Sequence, residues 1–303
     1  MYDLVSVGNI SVDLFFQGES LTHDRERFQL AIGGKYFTDK AVQTVGGGGA
    51  NVAIGVAKHK LNAAVLGTIG NNPFKKTILD VFEKAHVSTS LCGYQDNFMN
   101  MSAILLTQKG EKTVVHYSTP HQHILKNSED RLYKTKLLYM GNIPDVSIYE
   151  RTRFLTKAKK AGIKRFVNLG IKDCRLPKNA IRPFLEEVDV LIVNGHEFAE
   201  LVKAPYDDIH FHEDVVSWYI PHLKETLVIV TEGKRGSYAY YRGHIHHQEA
   251  LPIEHMVDAT GAGDGFTAGF IAGFCQADDI RTAMKSGASY AVKILSRIGA
   301  NES

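Results

Sequence analysis

Cysteine is scarce in this chain of 303 residues: Cys92, Cys174 and Cys275 are odd in number and far apart, which excludes both a disulfide framework and a zinc knuckle. An excess of one charge is missing as well. The 35 Lys and Arg face 33 Asp and Glu, a formal net charge of +2, so the chain lacks the basic surplus with which nucleic-acid binders meet phosphates. No apolar run approaches the roughly 20 residues of a membrane span, and the longest, after Gly263, is broken by Gly, Asp and Thr. Met1-Tyr2-Asp3-Leu4 puts no basic stretch ahead of an apolar one, so a secretory signal is not expected and the cytoplasm is the default compartment. Tandem repeats, low-complexity tracts and Pro-rich linkers are absent too, which favours one domain over 1–303. With 44% hydrophobic and 22% charged residues, the chain can bury a large core, and disorder is excluded.

What is present is an alternation of two patterns. Leu4-Val5-Ser6-Val7, Ala64-Val65-Leu66, Leu137-Leu138-Tyr139-Met140, Phe166-Val167, Val190-Leu191-Ile192-Val193 and Leu227-Val228-Ile229-Val230-Thr231 read as strands, several apolar without alternation as in a buried parallel sheet. Between them the spacing predicts helices at about 50–60, 73–85, 146–161, 196–203, 212–224, 261–275 and 278–297. Trp218, with Val215, Val216, Tyr219 and Leu223, reads as helix core. The rhythm predicts an α/β domain, a doubly wound and mostly parallel sheet covered on both faces. Residues 14–45 and 98–118 break it with alternating stretches such as Phe28-Gln29-Leu30-Ala31-Ile32 and Thr113-Val114-Val115-His116-Tyr117, which predict antiparallel β-ribbon forming a small lid. The exposed edges of such ribbons invite pairing between two copies.

Three segments carry chemistry. In Asp258-Ala259-Thr260-Gly261-Ala262-Gly263-Asp264, Thr260 reads as an N-cap, so the glycines stand where a helix begins and its unpaired N–H groups admit an anion. Asp264, one turn inside, would stay ionised there and suits a base that accepts a hydroxyl proton; a plain Gly-rich helix start is the alternative. Gly46-Gly47-Gly48-Gly49-Ala50-Asn51 opens another helix and requires left-handed geometry or close approach by something, with a simple hinge as the equal reading. It is no Walker A loop: GxxxxGK[ST] occurs nowhere, and Gly33-Gly34-Lys35 is followed by Tyr36. Asn194-Gly195-His196-Glu197 follows a strand, where an amide and a carboxylate three residues apart serve either a Mg²⁺ shell or a capping box. The His pairs at 121–123, 210–212 and 244–247 lack acidic or Cys partners at ligand spacing and read as solvated surface.

Taken in order, these segments resemble the ribokinase-like, or PfkB-type, carbohydrate kinases over the whole length. The order is Gly8-Asn9-Ile10-Ser11-Val12-Asp13, the GGxGAN element, the N-x-x-E element, Thr231-Glu232-Gly233-Lys234-Arg235-Gly236, and Asp258 to Asp264. The resemblance implies transfer of the γ-phosphoryl group of ATP, as a Mg²⁺ complex, to a hydroxymethyl group of a sugar, with a nucleoside as the alternative acceptor and a non-catalytic sugar or nucleotide sensor as the rival from another class. It implies Asp264 as catalytic base, the amides of Gly261, Ala262 and Gly263 as anion hole, and Asn194 and Glu197 toward the phosphates and Mg²⁺, Glu197 through water. It implies Thr231, Gly233 and Gly236 along the nucleotide, Asp13, Gly47, Asn51 and Asn142 at the acceptor, and K⁺ between Asp258 and the segment Arg297 to Ser303. The chain departs from the pattern at Gly48, where such sequences often have Lys, at Ala259, at Asn72 and Lys75, and at Asn142, where ribokinases carry Glu. Gly48 and Asn142 speak against ribose itself.

Overall fold

Leu4, Val5 and Val7, in the strand that opens the chain, are all fully buried. Successive strand side chains point to opposite faces, so the sheet that holds them must be covered on both sides. The computed structural model describes residues 1–21, 23–24, 27–108, 111–120 and 134–301. Its elements begin β1 (Tyr2–Val7), β2 (Ser11–Gln17), β3 (His23–Asp24), β4 (Arg27–Phe28), β5 (Lys40–Gly46), α1 (Gly48–Lys58), β6 (Ala63–Leu66), β7 (Thr68–Gly70) and α2 (Lys75–Lys84). They continue with β8 (Gly93–Gln95), β9 (Asn100–Leu106), β10 (Lys112–Ser118), β11 (Thr135–Met140), α3 (Ile148–Lys160), β12 (Lys164–Asn168), α4 (Ile171–Cys174) and α5 (Lys178–Leu185). The last are β13 (Val190–Asn194), α6 (Gly195–Val202), α7 (Val215–Tyr219), β14 (Leu227–Thr231), β15 (Ser237–Tyr241), β16 (His244–Gln248), α8 (Ala262–Ala277) and α9 (Ile280–Leu295).

The main sheet has eight strands in the order β16-β15-β14-β13-β12-β11-β1-β6. The six from β14 to β6 pair in parallel, and the hairpin β15–β16 extends one edge antiparallel. On one face Val5, Leu138 and Leu191 pack with Phe154 of α3, Phe184 of α5 and Phe198 of α6. On the other, Leu4, Phe166 and Ile192 meet Val52 of α1, Phe270 of α8 and Met284 of α9. Each such side chain contributes about 1.5–3 kcal/mol by leaving water, and the doubly wound α/β arrangement read from the sequence is the one observed. Helices α4 and α5 escaped that reading because they are short and Pro183 lies inside α5. Among the described residues no helix is long and apolar enough to cross a membrane.

The lid is a separate four-stranded sheet in the order β10-β9-β2-β5. It is not wholly antiparallel: β2 pairs with β5 and β10 with β9 in that sense, but β2 and β9 run parallel, because the two ribbons lie side by side. The alternation at 28–32 builds no strand beyond Phe28, and Leu30 and Ile32 are exposed; without a neighbour to bury its apolar side, an alternating pattern has nothing to pair with. The outer strand β10 leaves Val114, Val115 and Tyr117 exposed.

The helix expected at 212–224 breaks. α7 ends at Tyr219, and a 3₁₀ turn spans Pro221–Leu223. Val215, Val216 and Leu223 are buried, but Trp218 is 70% exposed, which corrects its reading as core: two residues apart on a helix point away from each other, so Trp218 faces opposite Val216.

Candidate active site

Gly261 is the N-cap of α8, with φ at +74°, a left-handed value that glycine adopts without strain. Thr260 does not cap the helix as expected. Its backbone N–H and its hydroxyl both donate to Asp258 Oδ1, at 2.9 and 2.7 Å, and the left-handed residue moves the cap one position on. The N–H groups of the first helical turn have no intrahelical acceptor and sit at the positive end of the helix dipole; that of Ala262 makes only a 3.4 Å contact with the Ala259 carbonyl. These amides, from Gly261 to Gly263, present the donors for an anion.

Asp264 lies in the same turn, and its Oδ2 accepts a 2.7 Å hydrogen bond from Asn51 Nδ2. Asn51 Oδ1 in turn accepts from Asn301 Nδ2 at 2.6 Å, and Asn301 also donates to the Val45 carbonyl at 2.9 Å. Two side chains from distant parts of the sequence, Asn51 directly and Asn301 through it, thereby fix the carboxylate, and the part of Asn301 was not legible in advance. Burial pushes the Asp264 carboxyl above the ordinary range; the Asn51 bond opposes that push, and the charge of Asp13 adds to it.

A cavity of ≈ 300 Å³ opens on one side of this turn, with Asp13, Gly47, Asn51, Asn142, Gly261 and Asp264 in its wall. The structure thus brings together all four residues read as acceptor ligands. Asp13 reaches the cavity from the lid and not from the main sheet: the chain turns after Val7 and starts β2 at Ser11, so Asp13 stands opposite Thr44 and Ser102. Burial raises its carboxyl, while the hydroxyls of Ser102 and Ser11 and the nearby His116 oppose the rise. A Cβ on Gly46 would stand 1.9 Å from Asp13 Oδ2, and one on Gly47, where φ is +91°, would stand 2.5 Å from the Asn9 carbonyl oxygen. The glycine run is therefore dictated by close approach to β2 and to the turn before it. A Cβ on Gly48 would lie 3.5 Å from Asp264 Oδ1, so the absence of a long side chain there keeps the space over the Asp264 carboxylate open.

The sequence reading missed the lid's own contribution to this wall, Asn100, Ser102 and His116, and also Tyr139 and Asn168. Ser102 Oγ and His116 Nδ1 are 3.2 Å apart. Asn100 is 6% exposed, and neither atom of its amide has a hydrogen-bond partner among the described residues. Since side chains two apart on a strand share a face, Asn100 lies on the Ser102 side of β9. The only advance signal was an amide inside a run of strand-forming residues.

On the other side of the turn lies a cavity of ≈ 630 Å³. Ala262, Gly263 and Phe266 form its floor, Thr231, Gly233 and Gly236 one wall, and Leu251, Ile253, Met256, Val292 and Leu295 an apolar wall. Ile253 and Met256 are exposed. The three residues read as nucleotide-lining thus share one cavity, and the apolar loop facing them carried no motif.

Asn194 and Glu197 line neither cavity. They form a reciprocal capping box at the start of α6: Glu197 N–H donates to Asn194 Oδ1 and Asn194 N–H to Glu197 Oε2, both at 2.9 Å. Burial raises the Glu197 carboxyl, the Asn194 N–H opposes, and the charge of Asp264 adds to the rise. Two carboxylates that repel each other, with Glu197 Oε1 left outside the capping box, fit a Mg²⁺ that keeps most of its waters. Asp258 differs. It is fully buried, Oδ2 accepts the Gly299 N–H at 3.1 Å, and Oδ1 accepts both donors of Thr260; Lys112 Nζ stands 3.6 Å away. With three donors on its oxygens and the Lys112 ammonium beside them, Asp258 does not fit a K⁺ shell while that lysine is in place, and Ser303 lies outside the described residues.

Residues 1–303 match the pfkB family carbohydrate kinases. A probable chloroplastic fructokinase-6 of Arabidopsis thaliana is 28% identical over 244 residues, 75% of this chain and 61% of that protein's length. A nucleoside kinase of Methanocaldococcus jannaschii is 23% identical over 298 residues, 96% of this chain and 89% of that protein. Among solved structures, an A. thaliana ribokinase complexed with ribose and ATP superposes with a TM-score of 0.80 at 20% identity, over 98% of this chain and 94% of that one, which establishes the shared fold.

Proposed function

The chain belongs to the pfkB family of carbohydrate kinases, ATP-dependent phosphotransferases, and from that premise we propose that it transfers the γ-phosphoryl group of ATP to a hydroxymethyl group of a small sugar. The observation that carries this reading is the single helix start set between two unlike cavities. The larger is apolar and suits a nucleobase; the smaller is polar, and Asp13 and Asp264 both face it. Donor and acceptor would then meet at the amides of Gly261 to Gly263.

Asp264 takes the proton of the acceptor hydroxyl as its oxygen bonds to the γ-phosphorus and the bond from that phosphorus to the bridging oxygen of ADP breaks. A carboxyl raised above its usual range is a better base at neutral pH than an ordinary one. Asn51, itself held by Asn301, aims that carboxylate, and the first-turn amides of α8 face the charge that develops on the phosphoryl oxygens. Asp13 accepts hydrogen bonds from sugar hydroxyls, which a carboxylate can do with both oxygens. Mg²⁺, when bound through water at Glu197, would neutralise charge on the phosphates.

A sugar is favoured over a nucleoside because the smaller cavity is walled mainly by amides, hydroxyls and carboxylates, with Tyr139 and His116 its only rings among the described residues, whereas a base needs an apolar or stacking surface. ADP release measured with fructose, ribose, adenosine and inosine tests the assignment. Turnover highest with a free sugar is expected; turnover confined to the nucleosides would overturn the sugar reading, and sugar binding with no ADP from any acceptor would point to a sensor.

A further inference from the structure

The buried Asp258 carboxylate needs a countercharge, since an unpaired ion in the interior is costly. The chain supplies one from the lid. Lys112, the first residue of β10, places Nζ 2.6 Å from Thr260 Oγ1 and 3.6 Å from Asp258 Oδ1. The geometry is a relay: the ammonium donates to the Thr260 hydroxyl, and that hydroxyl donates to the carboxylate at 2.7 Å. Of the roughly four lone-pair positions a carboxylate offers, three accept donors from Thr260 and Gly299. A mobile monovalent cation would have to share the remainder with an ammonium of the same sign.

We infer that Lys112 is a built-in cation that does at Asp258 what a bound K⁺ would do, so that this kinase needs no monovalent activator. Lys112 lines neither cavity; it acts through Thr260, whose carbonyl leads directly into the Gly261 amide, and is therefore a positioning residue for the anion hole. Because it rides on the lid, the turn is steadied only with the lid in place. The inference rests on the reading of residues 258–264 as the phosphoryl-binding turn, and is independent of which acceptor is used.

The thermal midpoint of the substrate-free protein, measured in potassium chloride and in tetramethylammonium chloride at equal ionic strength, tests it without any acceptor. Wild type should melt at the same temperature in both salts, and Lys112→Met should melt higher in the potassium salt. With an acceptor in hand, wild-type turnover should be equal in the two salts. Lys112→Met should lose about tenfold in tetramethylammonium, the low end for a charge-assisted hydrogen bond, and recover in potassium or ammonium chloride, while Lys112→Arg keeps its rate without them. A wild type stabilised or activated by K⁺, or a Lys112→Met protein that matches wild type in both salts, would overturn the inference. Failure to find a phosphorylated sugar would leave the melting comparison decisive.

Discussion

Replacing Asn100 by Leu separates binding from stability in a way few substitutions do. The side chain is 6% exposed and both its amide atoms lack partners among the described residues, so the free protein bears the cost of a desolvated amide. That cost is about 1–3 kcal/mol, and a leucine of nearly the same shape removes it. For a chain of this size one kcal/mol corresponds to about 2 °C, so Asn100→Leu should raise the ligand-free thermal midpoint by roughly 2–6 °C. The same change deletes an amide that, under the proposed function, a bound acceptor would draw into two hydrogen bonds, each contributing about 0.5–1.5 kcal/mol, and the apparent KM for the acceptor should rise roughly 5- to 150-fold. The KM for ATP should not move, because the nucleotide cavity does not include this residue. Scanning fluorimetry and steady-state kinetics on one preparation give both numbers. A lowered midpoint with an unchanged acceptor KM would refute the reasoning, since it would mean that the amide is satisfied inside the protein and packs the lid.

Asp264→Asn should lower kcat by about 10²- to 10⁴-fold and leave acceptor binding nearly unchanged; more than a tenth of wild-type turnover would contradict its role as base. Because the folded protein holds the Asp264 proton more tightly than the unfolded chain, the group's stabilising contribution is present below the ordinary carboxylate pKa of about 4 and lost as pH rises through the raised value. The variant should therefore melt above wild type at pH 7, and the acid limb of kcat/KM for wild type should lie above the ordinary carboxylate range. Glu197→Gln keeps the capping box, so it should raise the Mg²⁺ concentration for half-maximal rate without a large loss of stability; an unchanged Mg²⁺ requirement would leave Glu197 a cap alone. Asp13→Ala should raise the acceptor KM about ten- to a hundredfold, and an equal rise for ATP would argue against acceptor recognition.

The strands of the main sheet were legible because Val190 to Val193 and their counterparts are buried on both faces, and a short, continuous run of β-branched and apolar residues is what burial on both faces demands. Gly261 to Asp264 was legible because a helix start writes its chemistry into adjacent residues. What could not be read was what topology brings together. Lys112 and Thr260 are 148 positions apart, and Asn51 and Asn301 are 250 apart, with no local pattern to announce either pair. Asp13 reaches the smaller cavity from a lid strand, and nothing in the sequence marks the turn between Val7 and Ser11 as the point where the chain leaves one sheet for another. Trp218 failed for a simpler reason: its helix ends within a turn and a half, too short to bury every apolar residue it carries.

Asp13, Asn100, Ser102, His116 and Lys112 all hang from lid strands, whereas Asp264 and the anion-hole amides ride on α8. A sugar is long enough to grip both bodies at once; a water molecule is not. Under the proposed function the lid strands would hold the acceptor while α8 takes its proton, so a water lying beside Asp264 alone would lack half of that grip.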